Sequence, residues 1–191
     1  MNCSRGKDRR TKRSLEIKVC GLTDPDSAAA CAGVGVDAVG LVFYSQSPRF
    51  VSEARASEIA LAVAGRVAVV GVFVDDSLEA ITERVQRCGL TAVQLHGRES
   101  PALVQRLRES GLPVIKALFH QRAPFFQEAS RYDASAFLLE CGRGRLPGGN
   151  AQAWNWAAAA ELDRRRPLIL AGGLDPENVA RAVALGRPAT S

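Results

Sequence analysis

The sequence predicts an α/β protein of the (β/α)8 TIM-barrel class, truncated at its C-terminus to about seven β-α units. Short apolar segments alternate with helical ones at a period of roughly 25 residues. Several apolar segments are continuous, as in Val69–Val74, which is typical of strands buried on both faces. This regular alternation favours a parallel barrel over an open, doubly wound sheet.

The elements follow from the apolar runs and from the residues that punctuate them. Strands are predicted at 15–20, 38–43, 67–74, 92–96, 114–119, 136–140 and 168–171. Helices are predicted at 24–34, 52–64, 77–88, 100–110, 122–130, 154–163 and 176–185. The predicted N-caps are Asp24, Ser52, Ser77 and Ser100, and the predicted first-turn prolines are Pro25, Pro101 and Pro176.

Length and charge divide the chain into two regions. The 191 residues fit one domain, and no apolar run approaches the roughly 20 residues of a membrane span. Residues 1–14 carry six of the 25 basic side chains and one of the 20 acidic ones, so the net charge of +5 belongs to this segment. We expect a basic, disordered leader at 1–14 and a barrel domain, incomplete at its C-terminus, at 15–191. A nucleic-acid-binding arm is the less favoured interpretation of the leader.

The cysteines indicate a reducing compartment. Five cysteines are an odd number without close pairs, which argues against a disulfide framework or a zinc site. We therefore expect a cytoplasmic protein with free thiols. Neither nucleic acid nor a membrane is expected as partner, since charge is balanced outside residues 1–14 and no apolar run is long enough to span a membrane.

Polar residues stand at the ends of the predicted strands, where barrels of this class build their active sites. They are Cys20, Gln94, His96, Lys116 and Glu140, together with the loops 47–49, 147–150 and 171–174. Glycines after a strand bind phosphate well through backbone N–H groups, which gives Gly172 and Gly173 a candidate role.

Each of these residues also has a purely structural interpretation. Cys20 is equally well explained as a small core residue, and Arg49 as a surface arginine. His96 fits a hydrogen-bonded core histidine, and Lys116 fits an internal ion pair with Glu140. The two glycines at 172 and 173 fit a tight turn.

Five motifs in register resemble the phosphoribosylanthranilate isomerases, barrel enzymes of tryptophan biosynthesis. They are Lys18–Gly21, Gly40–Tyr44, Ser47–Arg49, Gln94–Gly97 and Leu170–Leu174. The resemblance implies an Amadori rearrangement without a cofactor, acting on a small phosphosugar substrate.

The same resemblance implies roles for single residues. Cys20 is then the general base and Arg49 the ligand of the anthranilate carboxylate. Glu140 stands where the family has an aspartate as general acid. The remaining substrate-binding residues implied are His96, Gly148, Gly149, Gly172 and Gly173.

Three departures from the family pattern leave alternatives open. Glu140 is one methylene longer than aspartate, Ala151 replaces a loop glycine, and the family's eighth strand is absent after Arg187 and Pro188. An inactive remnant that binds phosphorylated ligands weakly is therefore the alternative function. Another phosphosugar barrel, such as indole-glycerol-phosphate synthase or ribulose-phosphate epimerase, is a third possibility. Whether the chain is a monomer or a homodimer stays open.

Overall fold

The computed structural model describes residues 15–144, 147–162 and 165–186. The predicted leader and the Arg187–Pro188 segment lie outside these ranges. Seven parallel strands form one sheet in sequence order and curl into a half-barrel. The strands are β1 (Lys18–Cys20), β2 (Ala38–Val42), β3 (Ala68–Phe73), β4 (Ala92–Leu95), β5 (Val114–Phe119), β6 (Ala136–Glu140) and β7 (Leu168–Leu170). All seven predicted strands are confirmed.

Among the described residues, five α-helices follow strands. They are α1 (Pro25–Gly33), α2 (Glu53–Val63), α3 (Leu78–Cys88), α4 (Pro101–Glu109) and α5 (Val179–Gly186). The four predicted N-caps are confirmed, since the side chain of each accepts a hydrogen bond from the backbone N–H three residues later. Each cap satisfies one of the N–H groups that a helix start leaves without a partner.

The helices predicted at 122–130 and 154–163 are confirmed only in part, since the structure has shorter 3₁₀ helices there, at Phe126–Arg131 and Trp156–Glu161. In the first span, the Pro124 carbonyl accepts from the Phe119 N–H at 2.8 Å, and Phe125 forms an isolated parallel bridge with Phe119. This pairing keeps the start of the predicted span extended beside the end of β5. In the second span, regular structure ends at Leu162, whose backbone is extended.

Pro176 does not lie in the first turn of the last helix as predicted. The Asp175 carboxylate accepts hydrogen bonds from the backbone N–H groups of Glu177 and Asn178, at 2.9 and 2.8 Å. The Asp175 carbonyl also accepts from the Val179 N–H at 3.0 Å, so this turn, which contains Pro176, leads into α5, and α5 itself begins at Val179.

Lys116 is fully buried between β4 and β5, and it does not pair with Glu140. Its Nζ lies 2.7 Å from Glu99 Oε2 and donates to the carbonyls of Leu95 and Gly97 at 3.3 and 2.8 Å. Burial lowers the pKa of Lys116, and the Glu99 carboxylate opposes that shift. The Lys116–Glu99 pair fixes the loop after β4. Because Lys116 pairs with Glu99, the alternative of a Lys116–Glu140 pair is wrong.

The two outer strands each have one neighbour in the described sheet: β1 pairs with β2, and β7 with β6. Val39, Leu41, Phe73 and Leu95 belong to the buried core, which the helices cover. No helix in the described ranges is long and apolar enough to cross a membrane.

Candidate active site

A cavity of about 310 Å³ opens at the carboxyl ends of the strands. All eight residues predicted for the site line it, from the ends of β1 and β6 and from the segments after β2, β4, β6 and β7. They are Cys20, Arg49, His96, Glu140, Gly148, Gly149, Gly172 and Gly173. Parallel strands bring their carboxyl ends to one rim, which is why residues far apart in sequence meet here.

Cys20 is the last residue of β1, and its thiol is half-buried. Gly21 follows with a φ of +86°, a left-handed conformation that glycine adopts without steric cost. A Cβ at Gly40, the neighbour of Cys20 on β2, would lie 2.7 Å from the Cys20 sulfur. Glycine at this position leaves room for the thiol inside the barrel.

Arg49 links the loop after β2 to the thiol-bearing strand. The Ser47 hydroxyl accepts from the Arg49 backbone N–H at 3.1 Å, which fixes the turn. The Arg49 Nη1 donates to the Cys20 carbonyl at 3.1 Å. A Cβ at Gly149 would overlap Nη2 of the same guanidinium, so the loop after β6 approaches it only as glycine. Arg49 therefore lies between the thiol strand and the β6 loop, and it lines the cavity.

Glu140 is held by a buried chain of hydrogen bonds. Its Oε2 lies 2.9 Å from His96 Nε2, and His96 Nδ1 lies 2.8 Å from the Gln94 side-chain nitrogen. With the amide donating to Nδ1, the ring carries its proton on Nε2 and donates it to Oε2 of the Glu140 carboxyl group. His96 and Glu140 are 6% and 5% exposed. The histidine thus contacts the carboxyl group directly.

The loop after β6 closes over this pair. The Gly149 N–H donates to Glu140 Oε1 at 3.3 Å. A Cβ at Gly148 would overlap His96 Nε2, so glycine permits the close approach. Ala151 has a φ of +51°, in the left-handed region that disfavours a β-carbon. The alanine that stands in place of a loop glycine thus lies at a position of positive φ.

The glycines after β7 are explained by packing and by the turn. Gly172 and Gly173 have φ values of +85° and +67°. A Cβ at Gly173 would overlap the backbone of Ala153, which belongs to the loop after β6. The indole N–H of Trp154 donates to the Ala171 carbonyl at 2.8 Å and joins the two loops. Helix α5 starts at Val179, so the glycines do not lead directly into a helix N-terminus.

Two charged residues near the site were missed by the sequence analysis. Arg122 stacks on Phe119, with its guanidinium carbon 3.4 Å from the ring centroid, and donates to the Pro147 carbonyl at 2.6 Å. Burial lowers the pKa of Arg122, and the charge of Glu140 opposes that shift. Lys18 also lines the cavity. Its position two residues before Cys20, on the same strand face, was the available signal.

No three His, Cys, Asp or Glu side chains in the described part of the chain stand close enough together to hold a metal ion. What the cavity offers is a thiol, a buried histidine-bound carboxyl, a guanidinium and several backbone N–H groups. This set can move protons and bind anions.

Comparisons with known proteins point to one family. The sequence model of N-(5'-phosphoribosyl)anthranilate isomerase matches residues 17–190. The isomerase of that name from Desulfatibacillum aliphaticivorans is 52% identical over 175 residues, which cover 92% of this chain and 80% of the relative. The Rubrobacter xylanophilus isomerase is 44% identical over 169 residues, covering 88% of this chain and 82% of the relative.

A solved structure gives the same result. The phosphoribosyl anthranilate isomerase from Thermotoga maritima superposes with a TM-score of 0.82 at 35% identity, covering 91% of this chain and 84% of that one. The match extends over nearly the whole chain in both sequence and structure. This protein therefore belongs to the N-(5'-phosphoribosyl)anthranilate isomerase family.

Proposed function

We propose that this chain catalyses the Amadori rearrangement of N-(5-phosphoribosyl)anthranilate to 1-(2-carboxyphenylamino)-1-deoxyribulose 5-phosphate, a step of tryptophan biosynthesis. The observation that carries the proposal is the pairing of functional groups in one cavity. The Cys20 thiol on β1 and the Glu140 carboxyl on β6 both line it. A rearrangement of this kind needs an acid and a base at separate atoms of one substrate.

Glu140 is the general acid of the proposed reaction. Its protonated carboxyl gives a proton to the ribose ring oxygen, the ring C–O bond breaks, and an iminium forms at C1. The hydrogen bond from His96 then holds the resulting carboxylate, as the 2.9 Å contact indicates. His96 is accordingly a positioning residue rather than a substrate ligand.

Cys20 is the general base. Its thiolate takes the proton from C2, and the electron pair of that C–H bond moves toward the iminium to give an enolamine. The enolamine tautomerises to the aminoketose product. The substrate nitrogen supplies the electron sink, so these steps require no cofactor.

Arg49 and the glycine loops bind the two anionic ends of the substrate. The planar guanidinium of Arg49 matches the geometry of the anthranilate carboxylate. Gly148, Gly149, Gly172 and Gly173 also line the cavity, and the backbone N–H groups of these loops suit the phosphate. These four glycines come from loops that pack on each other through Ala153 and Gly173.

The half-barrel belongs, in this proposal, to an eight-unit barrel of which the described residues form seven units. The one-sided pairing of β1 and β7 supports this. The cytoplasm is the compartment that the unpaired Cys20, Cys31, Cys88 and Cys141 fit best.

Growth of a bacterial tryptophan auxotroph that lacks the isomerase tests the function. We expect the native chain to restore growth without tryptophan. A Cys20→Ala variant should fail to restore it, whereas the matched Cys31→Ala variant, altered on α1 outside the cavity, should succeed. Failure of the native chain, with the protein present and folded in the cells, would favour the inactive remnant.

A further inference from the structure

Lys18 places an ammonium group inside the cavity, one layer below the thiol. Lys18 and Cys20 are two residues apart on β1, so their side chains leave the same face of the strand. A Cβ at Gly40 would lie 3.0 Å from Lys18 Nζ and 2.7 Å from Cys20 Sγ. Lys18 Nζ and Cys20 Sγ therefore lie within the roughly 4–6 Å over which a positive charge stabilises a neighbouring negative charge.

The ammonium has no acidic partner among the residues described. The ion pairs of the structure take up Lys116 with Glu99 and several surface arginines, but none includes Lys18. Lys18 is half-buried, so solvent compensates its charge only in part. A negatively charged sulfur beside it would add to that compensation.

We propose that Lys18 is a positioning residue that stabilises the thiolate of Cys20, the form that takes the C2 proton. The inference rests on the proposed function and adds a residue to its machinery. The thiol releases its proton to solvent, and the ammonium offsets the negative charge left on sulfur. The other charged or titratable groups that line the cavity are Tyr44 and Arg49 after β2, His96 directly after β4 and Glu140 on β6.

Alkylation by iodoacetamide tests the inference without substrate, because only the thiolate reacts. The rate of modification at Cys20 is measured by peptide mass spectrometry in the full chain. Cys31, half-buried on α1, serves as the internal reference. At pH 7 we expect Lys18→Met to slow Cys20 alkylation about tenfold and Lys18→Arg to slow it less than about threefold. Cys31 should react equally in all three proteins.

The pH dependence of the Cys20 alkylation rate distinguishes an effect of the Lys18 charge from an effect of the Lys18 side-chain shape. Above about pH 10, where thiols ionise without help, the rates of the native chain and Lys18→Met should converge. An unchanged Cys20 rate at pH 7, or a deficit that persists at high pH, would overturn the inference. If Lys18→Met does not fold, the native chain alone decides. Cys20 should outpace Cys31 at pH 7 and lose much of that advantage at pH 10, and an equal ratio at both pH values would refute the proposal.

The turnover assay keeps the two proposals distinguishable. If Cys20→Ala retains activity, the assignment of the base fails, while the alkylation rates still decide the role of the ammonium. If Cys20→Ala is inactive and Lys18→Met reacts like the native chain, only the role of Lys18 is lost.

Discussion

At the scale of single residues, the contact between His96 and Glu140 fixes the position of the Glu140 carboxyl group. An extra methylene relative to aspartate moves the carboxyl group outward, and a displacement of about 1 Å can cost on the order of 100-fold in rate. In this chain the carboxyl is fixed at its observed position by His96 Nε2 and the Gly149 N–H. The neighbours are thus arranged around glutamate.

Substitutions at His96 test this arrangement. His96→Leu removes the donor, and we expect kcat to fall about 100-fold with little change in KM, because the carboxyl loses its orientation. His96→Gln places an amide donor near the position of Nε2 and should recover part of that loss. A rise in KM at unchanged kcat would show instead that His96 contacts the substrate.

Ala151 is strained where a glycine would not be. Its φ of +51° is costly for a residue with a β-carbon. We expect Ala151→Gly to raise the free energy of unfolding by about 0.5–1 kcal/mol, the strain relieved being partly offset by the flexibility that glycine adds to the unfolded chain. Urea denaturation measures the change, with Ala153→Gly in the same loop as a control. A destabilised Ala151→Gly would contradict this explanation.

At the scale of elements, buried charges and helix caps set the loops at the rim. Glu99 accepts hydrogen bonds from the backbone of Asp75 and Gly97 as well as from Lys116. It therefore ties the loops after β3 and β4 to β5. The loop that contains Gly97 and Glu99 follows directly after β4, the strand that carries Gln94.

Removal of one member of the buried pair should destabilise the fold strongly. Lys116→Met leaves the Glu99 carboxylate buried without its partner, and we expect a loss of about 3–5 kcal/mol in unfolding free energy. The double variant Lys116→Met/Glu99→Gln should recover most of that loss because no charge stays buried. Urea denaturation of the three proteins gives the comparison. If the single variant were as stable as the native chain, the pair would not hold these loops.

The start of α1 gives a pH-dependent prediction. The Ser27 backbone N–H holds the pKa of Asp24 below its usual value of 3.8. A lowered pKa in the folded state adds stability above pH 3.8, and this stability is lost as the pH falls through the folded-state value.

Comparison of Asp24→Asn with the native chain isolates the charge, since asparagine caps helices equally well. The native chain should be the more stable near pH 6, and the difference should shrink as the pH falls below 3.8. Urea denaturation across that range measures it. A difference that is independent of pH would contradict the role of the carboxylate charge.

At the scale of the whole molecule, features set by the local sequence could be predicted better than features set by contacts between distant residues. The strands and caps were predictable, because an apolar run and a Ser or Asp before a helix act locally. The two 3₁₀ segments depend on how Pro124 and the chain before β7 meet the sheet, which no local pattern shows. Likewise His96 and Glu140 are separated by 44 positions, and only the curl of the sheet brings them together.

Because β1 and β7 each have one neighbour in the described sheet, we expect an added strand to raise the thermal stability. Fusing a strand–helix segment of roughly 20 residues from an isomerase relative after residue 191 should raise Tm, because β1 and β7 would gain partners. A Gly/Ser-rich tail of equal length is the matched control, since it cannot pair as a strand. Equal Tm values for the two fusions would show that the sheet does not need a further strand.

The central claim is that Cys20 and Glu140 act as base and acid on one substrate. Its most direct test is the loss of anthranilate fluorescence as the purified 191-residue chain consumes phosphoribosylanthranilate. We predict turnover by the native chain and a loss of at least about 100-fold in kcat/KM for both Cys20→Ala and Glu140→Gln. A folded native chain without turnover, or a variant of either residue near the native rate, would contradict the account.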